Sequence, residues 1–151
     1  MLGKTYANQN CSAARALEIV GERWSLLILR DALFRGRNTY GEFQKSLGIA
    51  TNILAARLED FVANGLFVFQ VKEGSSDSGF YRPTEKAMGL KPIIVALTEW
   101  GETWVPERKG PIEFTHGTCD GRISLTTVCS HCDENPSNSD IITRSKRSGH
   151  P

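Results

Sequence analysis

Histidine is scarce in this chain and placed late: the whole sequence has three, and the first 110 residues have none. A Ser-His or Cys-His pair therefore cannot form in that part of the molecule. Neither a P-loop nor a Gly-x-Gly-x-x-Gly turn occurs, so two common phosphate cradles are missing. Carboxylates such as Glu18, Glu22 and Glu59 are scattered along helical segments as solvated faces. No nucleophile, base and orienting group are gathered, and no catalytic residue is expected. There is also no apolar run of the roughly eighteen residues a membrane span needs. The opening stretch MLGKTYANQNC lacks the apolar core of a secretory signal, so a cytoplasmic protein is expected.

Excess charge is missing too. Eighteen Lys and Arg face seventeen Asp and Glu, a net charge of +1. Between Arg35 and Arg82 the basic residues are Arg35, Arg37, Lys45, Arg57, Lys72 and Arg82. They are nearly matched by Glu42, Glu59, Asp60, Glu73 and Asp77. Any surface for a polyanion must come from how these charges separate in space, not from bulk excess.

What is present is a foldable core. With 151 residues and 40% hydrophobic content the chain suits one compact domain plus an appendage. The expected division is a domain over 1–108 and a cysteine-bearing extension over 109–151. A first helix is expected from Cys11 to Val20, capped by Asn10 or Ser12. Trp24 to Gly36 reads as a strongly apolar helix closed by its glycine. Asn38 or Thr39 opens a short helix, Tyr40 to Ser46, and Gly48 breaks it. Thr51 is a good cap for a helix running to Asn64, with Leu54, Leu58, Phe61 and Val62 as its inner stripe. Leu66 to Lys72 favours a strand. The small, polar Glu73–Gly79 reads as a flexible turn, and Phe80-Tyr81-Arg82 resumes in extended form. A short helical piece starts at Thr84 and Glu85. The last helix, Leu90 to Trp104, has Pro92 in its first turn and an apolar stripe of Ile93, Leu97, Trp100 and Trp104.

This order is a helix-turn-helix followed by a β-hairpin wing. The fold class expected is mainly α with a small wing, plus a short β-rich C-terminal extension. In such a motif the second helix buries one stripe and offers its N-terminal residues to the major groove of DNA. Here that outer face starts with Thr51 and Asn52, and asparagine can bond bidentately to adenine. Ala55 and Ala56 are small enough to allow close approach, and Arg57 can reach a phosphate or a base edge. Arg37, and Lys72 and Arg82 flanking the hairpin tip, are the candidates for phosphate. The alternative at this point is an ordinary helix pair that only packs.

Several blocks in this order carry a family resemblance. They are Cys11 at the first helix, GERWSLLILRDALFRG, FQKSLGIATNILAARLEDFVANGL, and FYRPTEKAMGLKPIIVALTEWG. Over Cys11 to about Gly101 the chain resembles the HxlR-type transcriptional regulators, winged helix-turn-helix proteins related in fold to MarR regulators. It departs from their pattern at Phe67-Val68-Phe69-Gln70, where basic residues are usual, at Ala50 and at Pro83. The resemblance implies double-stranded DNA with a two-fold operator as partner, and a homodimer built from the first and last helices. The Trp100 and Trp104 stripe agrees with a dimer, unless both rings cover the monomer's own core. The resemblance also implies that Cys11 can be a redox switch, since a thiol at a helix start favours its thiolate. The bland reading of Cys11 is a small buried residue without chemistry.

The extension holds two close pairs, His116-x2-Cys119 and Cys129-x2-Cys132. Together they make a Cys3His set of the kind that binds structural zinc. Asp120-Gly121 suits a tight turn after the first pair. The alternative is a β-hairpin with reduced thiols or a local disulfide. The final ITRSKRSGHP is polar and reads as frayed. The function expected is a DNA-binding regulator, redox or small-molecule responsive, with no effector identifiable. The competing reading is a protein-interaction module on a winged-helix scaffold that has lost DNA binding.

Overall fold

The computed structural model describes residues 5–74, 78–105, 107 and 110–144. The centre of the expected Glu73–Gly79 turn, the boundary at 108/109 and the end of the polar tail lie outside the described residues. Among the described residues, six α-helices and a two-stranded wing follow in order: α1 (Ser12–Val20), α2 (Ser25–Arg35), α3 (Tyr40–Leu47), α4 (Thr51–Ala63), β1 (Phe67–Val71), β2 (Gly79–Pro83), α5 (Glu85–Met88) and α6 (Lys91–Trp104). No helix among the described residues is long and apolar enough to cross a membrane.

The core sits where α2, α3, α4 and the base of the hairpin meet. Ile28, Leu29, Phe43, Leu54, Leu58, Phe61, Leu66 and Phe67 are all essentially inaccessible. Phe67 is the pivot, with Phe61 edge-on at 5.4 Å and Phe43 stacked at 6.4 Å. Each such ring removes a large apolar surface from water, worth about 1.5–3 kcal/mol. Val62 is exposed, contrary to the stripe expected for it. At 100° per residue Phe61 lies about 20° from Leu54 around the axis, whereas Val62 lies about 80° away.

Local chemistry sets the helix ends, and two caps differ from the sequence expectation. The first helix is capped by Cys11 rather than Asn10 or Ser12: its Sγ accepts the Ala14 N–H at 3.3 Å. Thr51 does not cap α4. Ala50 holds that position with no side-chain bond, and Thr51 is the first helical residue. The α3 start is the best satisfied. Thr39 accepts the Glu42 N–H, and Glu42 reaches back to the N–H groups of Asn38 and Thr39. Gly48 then turns the chain at φ +60°, a left-handed conformation that costs a glycine little.

The wing is antiparallel, with Phe67 opposite Pro83 and Val71 opposite Gly79. A Cβ on Gly79 would lie 2.3 Å from the Gln70 carbonyl and 2.6 Å from the Phe69 ring, so only glycine fits there. Tyr81 N–H donates to the Asn38 carbonyl and ties the wing to the entrance of α3.

Helix α6 has two apolar faces. Ile94 and Val95 enter the core, whereas Ile93, Leu97, Trp100 and Trp104 are all more than half exposed. The tryptophans therefore do not cover the monomer's own core. In the extension, the expected β-rich character reduces to a small hairpin around a Thr115–Arg122 bridge. His116 N–H bonds Gly121, Ile123 N–H bonds Phe114, and Asp120 takes φ +55° at the turn. Phe114 packs on Phe34 of α2 with ring centres 4.6 Å apart. A single 3₁₀ turn, Asn138–Asp140, is the remaining regular element of the extension among the described residues.

Candidate nucleic-acid interface

The second helix of the motif, α4, is held by Leu54, Leu58 and Phe61, which turn Thr51, Asn52, Ile53, Ala56 and Glu59 outward. Tyr40 on α3 donates its hydroxyl to the Thr51 carbonyl at 2.7 Å and fixes the start of α4 against α3. The missing cap leaves the Thr51 side chain outward and uncommitted to the helix end. The Ala50 carbonyl already accepts the N–H groups of Ile53 and Leu54. The N–H groups of Thr51 and Asn52 are thus the open donors of a helix N-terminus, which suit an anion.

Asn52 is exposed, at the edge of an open hollow shared with Ala56, Arg57 and the Arg23-Trp24 corner. Ala55 is half-buried beside it. Arg57 is the least available of the set. Its side chain is 13% exposed, and it pairs with Asp60 at 2.9 Å. In this conformation it buttresses α4. Arg23 was not singled out by the sequence. It stacks over Trp24 at 5.6 Å, is exposed, and brings a cation into the hollow beside Asn52. Nothing in the spacing of GERW marks that proximity, because it arises from how the α1–α2 corner folds back against α4.

The phosphate candidates are spread around this face. Arg37 stands half-exposed just before α3, within 4.0 Å of Glu42. Lys72 is exposed at the outer end of the wing, where its N–H bonds the Ser78 carbonyl. It borders a groove formed with Thr39, Tyr40 and Tyr81. The Tyr81 ring packs on Phe69 at 4.8 Å, and burial pushes its phenol pKa upward. Arg82 does not flank the tip as expected. It pairs with Val68 in the ladder, which puts it about 13 Å from Lys72 at roughly 3.3 Å per residue.

The cysteines fall into three separate places. Cys11 is an exposed thiol at the head of α1. Arg15 bonds the carbonyls of Tyr6 and Gln9 and ties the preceding segment to α1. His116 Nδ1 lies 3.3 Å from the Cys119 sulfur. In the other pair, the backbone N–H groups of His131 and Cys132, and then the Cys132 side chain, lower the Cys129 thiol pKa. The two pairs do not combine. Among the described residues no three His, Cys, Asp or Glu side chains come together as metal ligands. The Cys3His zinc set expected from His116, Cys119, Cys129 and Cys132 is therefore not assembled. Each pair is closed locally by its own turn, with Asp120 and Asp133 both at positive φ.

Residues 19–109 match the family model for HxlR-like helix-turn-helix. The chain is 40% identical over 124 residues to Rv3095 of Mycobacterium tuberculosis, named as an uncharacterised HTH-type transcriptional regulator. That match covers 82% of this chain and 78% of the relative. The solved structure of PA1607, a candidate transcription factor, is similar with a TM-score of 0.80 and 36% identity, over 94% of this chain and 98% of that one. A second candidate transcription factor, PA1374 from Pseudomonas aeruginosa, gives 0.64 and 28%, over 93% and 95%. The last two matches reach well past residue 109, so they take in most of the extension.

Proposed function

This chain belongs to the HxlR-like helix-turn-helix family of transcriptional regulators, and from that premise we propose that it is a dimeric, sequence-specific DNA-binding regulator of the cytoplasm. The observation that carries the reading is the outer face of α4. A helix pinned by three core residues presents Thr51 and Asn52 at an uncapped N-terminus, with small Ala56 behind them. That arrangement suits base-edge contact in a major groove. Arg23, Arg37 and Lys72 stand around it for phosphate, and Arg82 adds a contact nearer the base of the wing. Arg57 reaches DNA in this reading by exchanging Asp60 for a phosphate.

The two-fold partner is a second copy joined through α6. Ile93, Leu97, Trp100 and Trp104 recur at helical spacing, all outward, and Leu17 of α1 is exposed as well. Two recognition helices related by such an axis would meet successive major grooves about 34 Å apart. Cys11 is the candidate switch. Its thiolate can attack hydrogen peroxide to give a sulfenic acid and hydroxide, which changes the group that caps α1. Release of DNA by peroxide from Cys11→Ser, as readily as from the native chain, would remove that role.

The deciding experiment is a DNase footprint of the purified, reduced protein on the intergenic DNA flanking its own gene. A protected, two-fold symmetric site whose affinity falls steeply with salt supports the regulator. A well-folded dimer that protects nothing at low salt favours an interaction module on the same scaffold.

A further inference from the structure

A hollow of about 480 Å³ lies away from the recognition face, between α2, the start of α6 and the hairpin of the extension. Its size falls within the roughly 300–1,000 Å³ common for small-ligand sites. Phe34, Val95, Phe114, Ile123 and Leu125 supply apolar walls. Three cations border it: Arg30, Arg35 and Lys91. The carboxylates available to them are few. Glu113 lines the hollow too, and its carboxylate is paired with Arg122 at 3.8 Å. Asp31 serves two guanidiniums through one oxygen, with Arg30 at 2.7 Å and Arg35 at 3.4 Å.

Lys91 has no carboxylate partner among the described residues, and its ammonium sits 5.1 Å from the centre of the Phe34 ring. It is also the first residue of α6, a helix with no acidic residue in its first turn and no side-chain cap. The helix dipole and the lysine thus add positive potential at one end of a hollow whose walls are largely apolar. An anion with an apolar body answers both features.

We propose that this hollow is an effector site for a small monocarboxylate with an apolar body. The carboxylate lies between Lys91 and Arg35, and the body between Phe34 and Phe114. Asp31 connects the site to the helix-turn-helix. One of its oxygens holds the arginines that border the hollow. The other accepts the Ser46 hydroxyl of α3, the helix that leads into α4. A ligand that competes for Arg35 changes what balances Asp31, and the change is felt at Ser46. The extension gains a role as one wall of the site. The coupling rests on the DNA-binding reading, whereas occupancy of the hollow does not.

Occupancy is therefore tested without DNA, by calorimetry of the full reduced chain with 3-phenylpropionate and with 3-phenylpropanol as its uncharged match. Saturable binding of the acid alone is expected, weakened at least about tenfold by Lys91→Gln. Lys91 is half-exposed, so this variant should fold, and its melting curve verifies that. Absence of saturable heat at millimolar acid, equal binding of the alcohol, or undiminished binding by Lys91→Gln would each overturn the site. Coupling is read next on the footprinted DNA. The acid should change the native protein's affinity but not that of Ser46→Ala, which should still bind the acid. An acid that binds without altering DNA affinity, or that still alters it in Ser46→Ala, would overturn the effector role.

Discussion

The hydroxyl of Ser46 on α3 donates to the Asp31 carboxylate on α2 at 2.5 Å, and that carboxylate is wholly inaccessible to solvent. It is a polar clasp between α2 and α3, set in the flank of an apolar core. A buried carboxylate must have its oxygens satisfied, since an unmet charge in such a place is costly. Arg30 and Arg35 meet one oxygen, and Ser46 meets the other.

Ser46→Ala should therefore destabilise the fold by about 2 kcal/mol, the scale of a hydrogen bond to a charged group. Asp31→Asn should cost more, because it also leaves two guanidiniums facing a neutral amide. Urea unfolding measures both. The double variant should lose less than the sum of the two, as expected for side chains that share one interaction. Strict additivity would show that the clasp contributes little.

For DNA, Asn52 and Lys72 should behave differently because their surroundings differ. Asn52 stands at the head of α4 on the outward face. Asn52→Ala should remove about 1–3 kcal/mol of discrimination at one base pair. Lys72 is exposed at the outer end of the wing, where it offers a point charge for phosphate. Lys72→Ala should weaken all sequences alike and reduce the salt slope by about 1. Titrations against the footprinted site and a scrambled one, at several salt concentrations, separate the two effects. A uniform loss from Asn52→Ala would move base readout away from the start of α4.

Much of this was legible in the chain because local rules and tertiary packing agree. Gly36, Gly48 and Gly65 punctuate helices at left-handed positions, and the Leu54–Leu58–Phe61 spacing defines one buried face. Where the reading failed, the cause was competition among neighbours. Thr51 is a fine cap by composition, but the turn after Gly48 puts Ala50 at the capping position. Cys11 displaced Asn10 and Ser12 by similar geometry. The α6 stripe was read correctly as a stripe, yet periodicity cannot say which of two apolar faces turns inward. The outward turn of Thr51 and Asn52 on α4 and the exposure of Lys72 were legible. Arg23 was hidden, and so was the hollow lined by Arg35, Lys91 and Phe114. These residues lie far apart in sequence, and only the fold brings them together.

Acid should act on the start of α3 through Glu42. Its carboxylate accepts the N–H groups of Asn38 and Thr39 and the Thr39 hydroxyl, in that order of influence, and these lower its pKa below the ordinary 4.5. A carboxyl whose pKa is depressed in the folded state stabilises that state above the unfolded value. The contribution is lost as pH falls below about 4.5 and through the lower folded pKa. Glu42→Gln should thus melt lower than the native chain at pH 7, and the gap should narrow as pH is taken down from neutral through about 4.5 and below. A gap that stays constant across that range would mean that the capping bonds do not depend on charge.

The outward face of α6 gives the test that bears most directly on assembly. Leu97 is 51% and Trp100 is 58% exposed in the single chain, so neither contributes much to its core. A charge placed there should leave the monomer's helices and hairpin intact while disrupting a dimer buried along the stripe. Leu97→Glu and Trp100→Glu should sediment as monomers at micromolar concentration with native far-ultraviolet spectra. Their melting temperatures should fall, and the native chain's should rise with concentration while theirs do not. Binding to a two-fold site should weaken strongly, because each recognition helix would then act alone on its half-site. Persistence of the dimer in both variants would place the two-fold axis elsewhere, with the exposed Leu17 face of α1 the next surface to charge.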